Sequence, residues 1–270
     1  MSQPKRHHFI PVMLLKHFTD SAGRLYCCKK DAAENKIFTT TPGNALLERN
    51  LYTQFDATGV PDTHVETELS KIESATAPVI DRIVNCALDG RCLQLPAQDK
   101  QDLVRFIFCQ CRRMPENRGM IEKRVIQLLA EVPDAFERYV GRPTTPEERA
   151  QIESPEYKKK ALRDGFLTFT SVPLSDDTLQ MVGQGSIRCG VIQIASKSFV
   201  VGMWSNLGEW LPIHQRVAIR LGGPNQYDLG NMIASIGVKD TRRINEEIVR
   251  NSNTFAGRSE RLVQSLAKTC

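Results

Sequence analysis

Apolar residues recur at helical spacing through the middle of the chain, and this pattern predicts three long helices. Residues 63–90 carry apolar side chains three and four positions apart, and Gly90 follows as a stop signal. A second stretch of this kind covers residues 97–113, and after Pro115 a third ends near Glu131. The centre of the molecule is therefore predicted to be helical.

Strand-like patterns lie on both sides of this helical centre. Near the start, RLYCCKK and NKIFTTT are rich in aromatic and β-branched residues and are joined by the polar DAAE, which predicts a β-hairpin. From Phe166 onward, FLTFTSV, SFVVGMW and RVAIRLG resemble strands. An amphipathic helix is then predicted from Asp240 to Phe255, and a last helix extends to about Leu266.

These elements together predict an α+β fold that is mostly helical. It has an N-terminal β-hairpin, long central helices and a smaller C-terminal sheet packed with a closing helix. The segment from Gly141 to Glu156, rich in Pro, Thr and Glu, is the most probable boundary between two regions. Residues 1–140 then hold the hairpin, the long helices and the candidate site, residues 141–270 hold the rest, and the two form one compact unit.

The composition excludes some classes of protein but does not indicate a reaction. The net charge is +5, from 36 Lys and Arg against 31 Asp and Glu, which permits a basic patch but does not require a nucleic acid partner. The sequence has no run of about 18 apolar residues and no secretion signal in MSQPKRHH, so we expect a cytoplasmic protein outside the membrane. The eight cysteines are then expected to be free thiols. There is no Gly-rich phosphate loop, nucleophile elbow or HExxH motif.

The opening KRHHFIPVMLLKHF holds three of the five histidines, and His7 and His8 are candidates for chemistry. If this stretch is extended, the two side chains point to opposite sides. His8 lies just ahead of a helix predicted to begin at Pro11, whose N-terminus disfavours imidazolium. A neutral His8 can accept a proton or bind a metal. The alternative is a histidine that only bonds to the backbone at the helix entry.

Two glutamates on the first long helix are the second candidate set. Glu66 and Glu73 are seven residues apart and therefore share one helix face. Converging carboxylates can hold a divalent cation or act as an acid–base pair. The alternative roles are structural, because Glu66 has capping-box spacing from Thr63 and Glu73 can pair with a cationic side chain.

Further polar residues come from two other segments. Asn44, Glu48 and Tyr52 are four residues apart and would share a face if their segment is helical. Gln110 and Arg113 are neighbours at i and i+3 on the second long helix. Arg113 can be held by Glu48 or Glu73, or can bind phosphate or carboxylate through its two-pronged guanidinium.

Five stretches carry a resemblance to a known family. They are KRHHFIPVMLLKHFTDSAGRLYCCKK, TPGNALLERNLYT, VETELSKIESATAPVI, CQCRRMPENR and DTRRINEEIVRNSNTFAGRSE. In this order they resemble the bacterial domain of unknown function 4238 family, in which the N-terminal histidine corresponds to His8. Many members carry a Gly/Ser-Asp-x-Pro turn after a late strand, whereas Gly202–Ser205 has neither Asp nor Pro. The resemblance implies no established reaction.

Two functions remain open at this point. The first is a hydrolase for phosphodiester or nucleotide substrates, with His8, Glu48, Glu73 and Arg113 lining one pocket. Glu48 and Glu73 would hold a divalent cation, Mg or Mn, which activates water, while His8 moves a proton and Arg113 offsets negative charge.

The second function is that of a non-catalytic interaction or sensor protein. In this alternative the same residues form a buried polar network that fixes the first helix against the long helices. The absence of Asp in the GMWS stretch favours it. Trp204 and Trp210, if exposed, would suit a surface for a protein partner.

Overall fold

The computed structural model describes residues 6–30, 34–55, 60–91, 94–171, 174–175, 177, 179, 187–204, 209–222 and 233–269. Within these residues the chain has an α+β fold with long helices and several small sheets. None of the helices described is both long and apolar enough to cross a lipid bilayer.

The N-terminal region contains six short strands and three short helical segments. The strands are β1 (Arg6–His8), β2 (Leu25–Lys29), β3 (Lys36–Thr40), β4 (Leu47–Arg49), β5 (Gln54–Phe55) and β6 (Pro61–Asp62). The helical segments are α1 (Val12–Leu15) and the 3-10 turns Lys16–Phe18 and Pro42–Asn44. Strand β1 pairs only with β4 among these strands, which defines a two-stranded antiparallel unit called here the β1–β4 ladder.

Five helices form the central part of the molecule. They are α2 (His64–Leu88), α3 (Ala97–Arg112), α4 (Arg118–Val140), α5 (Pro146–Glu153) and α6 (Pro155–Ser171). Helix α2 buries Val65, Leu69, Val79, Ile80 and Ile83, which repeat at helical spacing. The first two predicted long helices are thus confirmed.

Among its described residues, the C-terminal part adds a four-stranded sheet and two helices. Its elements are β7 (Ile187–Ile192), β8 (Leu211–His214), β9 (Val217–Leu221), β10 (Ile233–Ile236), α7 (Val238–Asn251), β11 (Thr254–Gly257) and α8 (Glu260–Ala267). The sheet order is β10-β7-β9-β8, with β10 parallel to β7 and the other pairs antiparallel. The predicted β2–β3 hairpin is confirmed, and β11 joins it as a third strand beside β2.

One hydrophobic cluster extends from Phe9 to Ala267 and includes buried residues of every long helix and of both larger sheets. The division of the chain near residue 140 stays a prediction. The buried cluster includes residues from both sides of it and does not test it. The cluster positions the candidate site by fixing α2 and α3 beneath the β1–β4 ladder.

Two of the predicted strands are wrong. FLTFTSV belongs to helix α6 as far as Ser171, where Phe166, Leu167 and Thr170 are buried at helical spacing. Helix α6 lies so close to α4 that a Cβ on Gly165 would come within 2.4 Å of Val125 Cγ2. Tertiary packing has therefore overridden the β-branched and aromatic composition of this segment.

The stretch SFVVGMW is buried, but only Val201 makes a strand-like bridge, to Ala256. The amide of Asn245 accepts from Val200 N–H at 3.0 Å and donates to the Ser198 carbonyl at 2.9 Å. Side chains thus satisfy backbone groups that a sheet would otherwise pair.

Two helix ends also differ from the prediction. Helix α4 continues past Glu131 to Val140 and ends at Gly141, which has a left-handed φ of 75°. Helix α7 ends at Asn251 rather than at Phe255, because the residues that follow pair with β2 as strand β11.

Candidate functional site

The β1–β4 ladder places the two adjacent histidines on opposite faces. His7 is opposite Glu48 and His8 is opposite Leu47 in the antiparallel register. Alternation along β1 buries His7 completely and leaves His8 partly exposed. The prediction that only one of the two can enter a given pocket follows from this geometry.

The His7 face is tied to Tyr52. Tyr52 N–H donates to His7 Nδ1 at 2.8 Å, and the two rings stack with centroids 5.6 Å apart and planes 4° from parallel. The Tyr52 hydroxyl donates to the Arg113 carbonyl at 3.4 Å. Burial raises the pKa of Tyr52, which keeps its hydroxyl protonated.

Arg113, the residue that ends helix α3, lies at the centre of this region with only 2% of its surface exposed. Its Nε and Nη2 donate to Gln110 Oε1 at 3.0 and 2.7 Å, and its Nη1 donates to Glu73 Oε1 at 2.6 Å. Gln110 Nε2 donates to the Phe9 carbonyl at 2.8 Å. We call His7, Tyr52, Glu73, Gln110 and Arg113 the buried polar centre. It joins α2, α3 and the N-terminal strand.

Glu66 lies at the edge of the buried polar centre, but the capping box predicted for it is not formed. Thr63 is the N-cap of α2 and makes no side-chain capping hydrogen bond. Burial raises the pKa of Glu66, the charge of Glu73 adds to this rise, and His7 opposes it. Burial therefore favours the protonated form of the Glu66 carboxyl group.

Glu48 lies apart from the Glu73–Arg113 pair. Its segment is strand β4 and not a helix, so the predicted common face of Asn44, Glu48 and Tyr52 does not exist. Glu48 Oε2 accepts from Arg118 Nη2 at 2.7 Å, and the Arg118 guanidinium stacks over the Phe166 ring. Of the four predicted site residues, Glu73 and Arg113 are in direct contact.

His8, on the other face, is held in one tautomer. Its Nδ1 lies 2.9 Å from the Ala45 carbonyl, which can only accept, so Nδ1 carries the ring proton and Nε2 keeps its lone pair. Among the described residues, no side chain or backbone group bonds to Nε2. Burial lowers the pKa of His8; the hydrogen bond to the Ala45 carbonyl and the charge of Glu73 oppose this, and the charges of Arg6 and Arg113 add to it.

Two arginines lie on the same face as His8. Arg6 and Arg49 are direct partners across the ladder and are two residues from His8 and Leu47 along their strands, so all four side chains share one face. Both arginines are exposed; Arg6 Nη2 donates to Asn44 Oδ1 at 3.0 Å, and neither forms an ion pair with a described residue. We call Arg6, His8 and Arg49 the arginine–histidine face.

Backbone strain accompanies this face. Strand β4 lies between Leu46 and Asn50, whose φ angles of 47° and 55° are left-handed; they are the only such non-glycine residues described. For a bulky residue such as Leu46 this conformation is costly, and the surrounding contacts must hold it in place. Phe9 N–H donates to the Leu46 carbonyl at 3.0 Å and fixes β4 beside β1.

The carboxylates chosen for a metal do not form a ligand set. Glu48 is bonded to Arg118 and Glu73 to Arg113, so each carboxylate already faces a cation. Within the described part of the chain, no three His, Cys, Asp or Glu side chains are grouped for a metal ion. The hypothesis that Glu48 and Glu73 bind Mg or Mn stays a prediction.

Sequence reasoning missed the arginine–histidine face. The signal was present in the alternation of RHH, which puts residues 6 and 8 on one side of a strand. Arg49 could not be added, because its segment was not predicted as a strand. The prediction that Trp204 is exposed is wrong, since this residue is 4% exposed and packs edge-on against Phe106.

The fold and the site together define an α+β protein in which a short histidine-bearing ladder closes over two long helices. A family model described as "Protein of unknown function (DUF4238)" matches residues 6–180, about two thirds of the chain, and the chain belongs to this family. The match includes the β1–β4 ladder and the whole buried polar centre, whereas the segments at residues 202–205 and 240–260 lie beyond it. No curated protein and no solved structure matches the chain.

Proposed function

We propose that this protein is a hydrolase for phosphodiester or nucleotide substrates and that His8 is its general base. One observation supports this most directly: a partly exposed imidazole of fixed tautomer lies beside two arginines that face each other without a carboxylate partner among the described residues. Like charges opposite each other in a ladder are unfavourable, and an anion between them removes the penalty.

The proposed reaction uses water as the nucleophile. His8 Nε2 takes a proton from water while the water oxygen forms a bond to phosphorus. The ester P–O bond breaks, the leaving oxygen takes a proton from solvent, and His8 returns its proton to solvent. Arg6 and Arg49 offset the negative charge that grows on the phosphoryl oxygens. No step passes through a metal, since the residues that would hold one are bound to arginines.

The experiment measures hydrolysis of bis(p-nitrophenyl) phosphate, p-nitrophenyl phosphate and, as an uncharged ester, p-nitrophenyl acetate. We expect turnover of a phosphate ester, a kcat about 100-fold lower or more in His8→Gln, and a higher KM in Arg49→Gln. His64→Gln is the matched control, because His64 is exposed at the start of α2 and outside both faces.

The pH profile adds a second readout. The base must be neutral, and the pKa of His8 is lowered, so kcat/KM should rise with pH through a value below 6.5 and then stay level at neutral pH. Absence of turnover with all three substrates, or equal turnover in His8→Gln and His64→Gln, contradicts the proposal.

A second candidate function is supported by the buried polar centre. Arg113 is buried and its guanidinium is bonded to Gln110 and Glu73, so it is not free to contact a substrate. This arrangement supports a non-catalytic interaction or sensor protein in which these residues maintain the fold. An inactive wild-type protein whose stability depends on Arg113 but not on His8 favours this alternative.

A further inference from the structure

A cavity of about 720 Å³ lies in the C-terminal part of the chain and shares no residue with the arginine–histidine face. It is formed where the N-terminal half of α7 and the length of α8 meet the segment 195–198. Its volume is within the range of pockets that enclose small molecules. All of its lining residues lie beyond the segment matched by the family model.

The charges around this cavity are almost all positive. Lys197, Arg242, Arg258 and Arg261 line it, and Glu246 is the one acidic residue among its lining residues. Glu246 Oε1 accepts from Arg242 Nε at 2.7 Å, so that pair is neutralised. Within the part of the chain that the structure describes, Lys197, Arg258 and Arg261 form no ion pair.

Several uncharged polar groups of the cavity wall are already engaged. Asn245 uses both ends of its amide on the backbone of Ser198 and Val200. The Thr241 hydroxyl donates to the Gly237 carbonyl at 2.9 Å, and Ser259 Oγ accepts from Leu262 N–H as the cap of α8. The wall is thus fixed at these residues, and the three unpaired cations are the charged groups left to bind a ligand.

We propose that this cavity binds a small molecule carrying two or more phosphate groups. Three unpaired cations in one concavity repel each other, and an oligophosphate brings several anionic oxygens to them at once. A single-stranded nucleic acid fits less well, because its binding sites stack bases on aromatic side chains and none of the described lining residues is aromatic. This site does not depend on the proposed hydrolase function.

The test is calorimetric titration of the full chain with inorganic tripolyphosphate, inorganic phosphate and adenosine. We expect saturable binding of tripolyphosphate, weaker binding of phosphate, no binding of adenosine and an affinity that falls with added salt. Arg258→Gln, Arg261→Gln and Lys197→Gln should each weaken tripolyphosphate binding about tenfold. Lys197 lies on an exposed segment outside any helix or strand, so its variant tests the site without disturbing an element.

Matched controls remove an exposed positive charge elsewhere, in Arg149→Gln on α5 and Lys159→Gln on α6. These controls should bind tripolyphosphate as the wild type does. Absence of saturable binding, equal weakening in controls and cavity variants, or unchanged binding in all three cavity variants would overturn the proposal. So would displacement of tripolyphosphate by an oligonucleotide that binds more tightly and depends on the same three residues.

Discussion

The two faces of the β1–β4 ladder place the same residue types, histidine and arginine, in opposite environments. On one face His7 is buried, bonded to Tyr52 and close to an arginine whose guanidinium contacts Gln110 and Glu73. On the other, His8 is partly exposed with a free Nε2, beside two arginines that have no ion-pair partner among the described residues. The difference teaches that residue type alone does not identify a candidate site, whereas burial and hydrogen-bond satisfaction separate a structural face from one with groups left to bind a ligand.

Removal of the buried arginine should give the largest effect on stability. Arg113→Met leaves the buried Gln110 Oε1 and the partly exposed Glu73 carboxylate without their donors, and we expect a loss of about 3 kcal/mol in the free energy of unfolding. Urea denaturation measures it. The control is Arg118→Met, which breaks the half-exposed pair with Glu48 and should cost less than about 1 kcal/mol. Equal losses in the two variants would mean that Arg113 is not a structural anchor.

The contrast between local and long-range contacts explains what could be predicted at this centre. Gln110 and Arg113 are three residues apart on a helix, so their contact follows from local geometry. The choice between Glu48 and Glu73 as the partner of Arg113 was left open. It depends on how α2 packs against α3, which residue spacing does not encode. Glu73 is the observed partner.

The same reasoning applies to the fold. The long helices and the β2–β3 hairpin were predictable because many residues repeat one period. Strand β4 was not, because it is three residues long and lies between two residues of left-handed φ. The family resemblance was confirmed over residues 6–180, although it implied no chemistry.

The two histidines give the next largest effect and compare the faces directly. His7→Phe keeps an aromatic ring at this position but leaves the buried Tyr52 N–H without an acceptor. We expect a loss of about 1–3 kcal/mol in the free energy of unfolding. His8→Gln, on the partly exposed side, should change the free energy of unfolding by less than about 1 kcal/mol. Thermal and urea unfolding of both variants provide the measurement. A larger loss for His8→Gln than for His7→Phe would reverse the assignment of the faces.

The Arg6–Arg49 pair should have a smaller effect on the free energy of unfolding. Its sign is opposite, because this pair is expected to destabilise the fold. Because Arg6 and Arg49 are direct cross-strand partners, their repulsion should destabilise the ladder by about 0.5 kcal/mol. A double-mutant cycle of Arg6→Gln and Arg49→Gln isolates this energy, which should shrink as salt is added. A favourable coupling would indicate that the two side chains already share an anionic partner and do not await one.

The smallest expected effect concerns divalent cations. Mg or Mn bound at Glu48 or Glu73 would lie beside the charge of Arg118 or Arg113, so we expect neither ion to raise the melting temperature of the wild-type protein. Arg118→Gln sharpens the test, because it frees Glu48 while the buried Glu73–Arg113 pair stays intact. A saturable rise in melting temperature that is lost in both Glu48→Gln and Glu73→Gln would support the metal hypothesis. It would also show that the carboxylates exchange their arginine partners for a cation, which would make the buried polar centre part of the chemistry as well as of the fold.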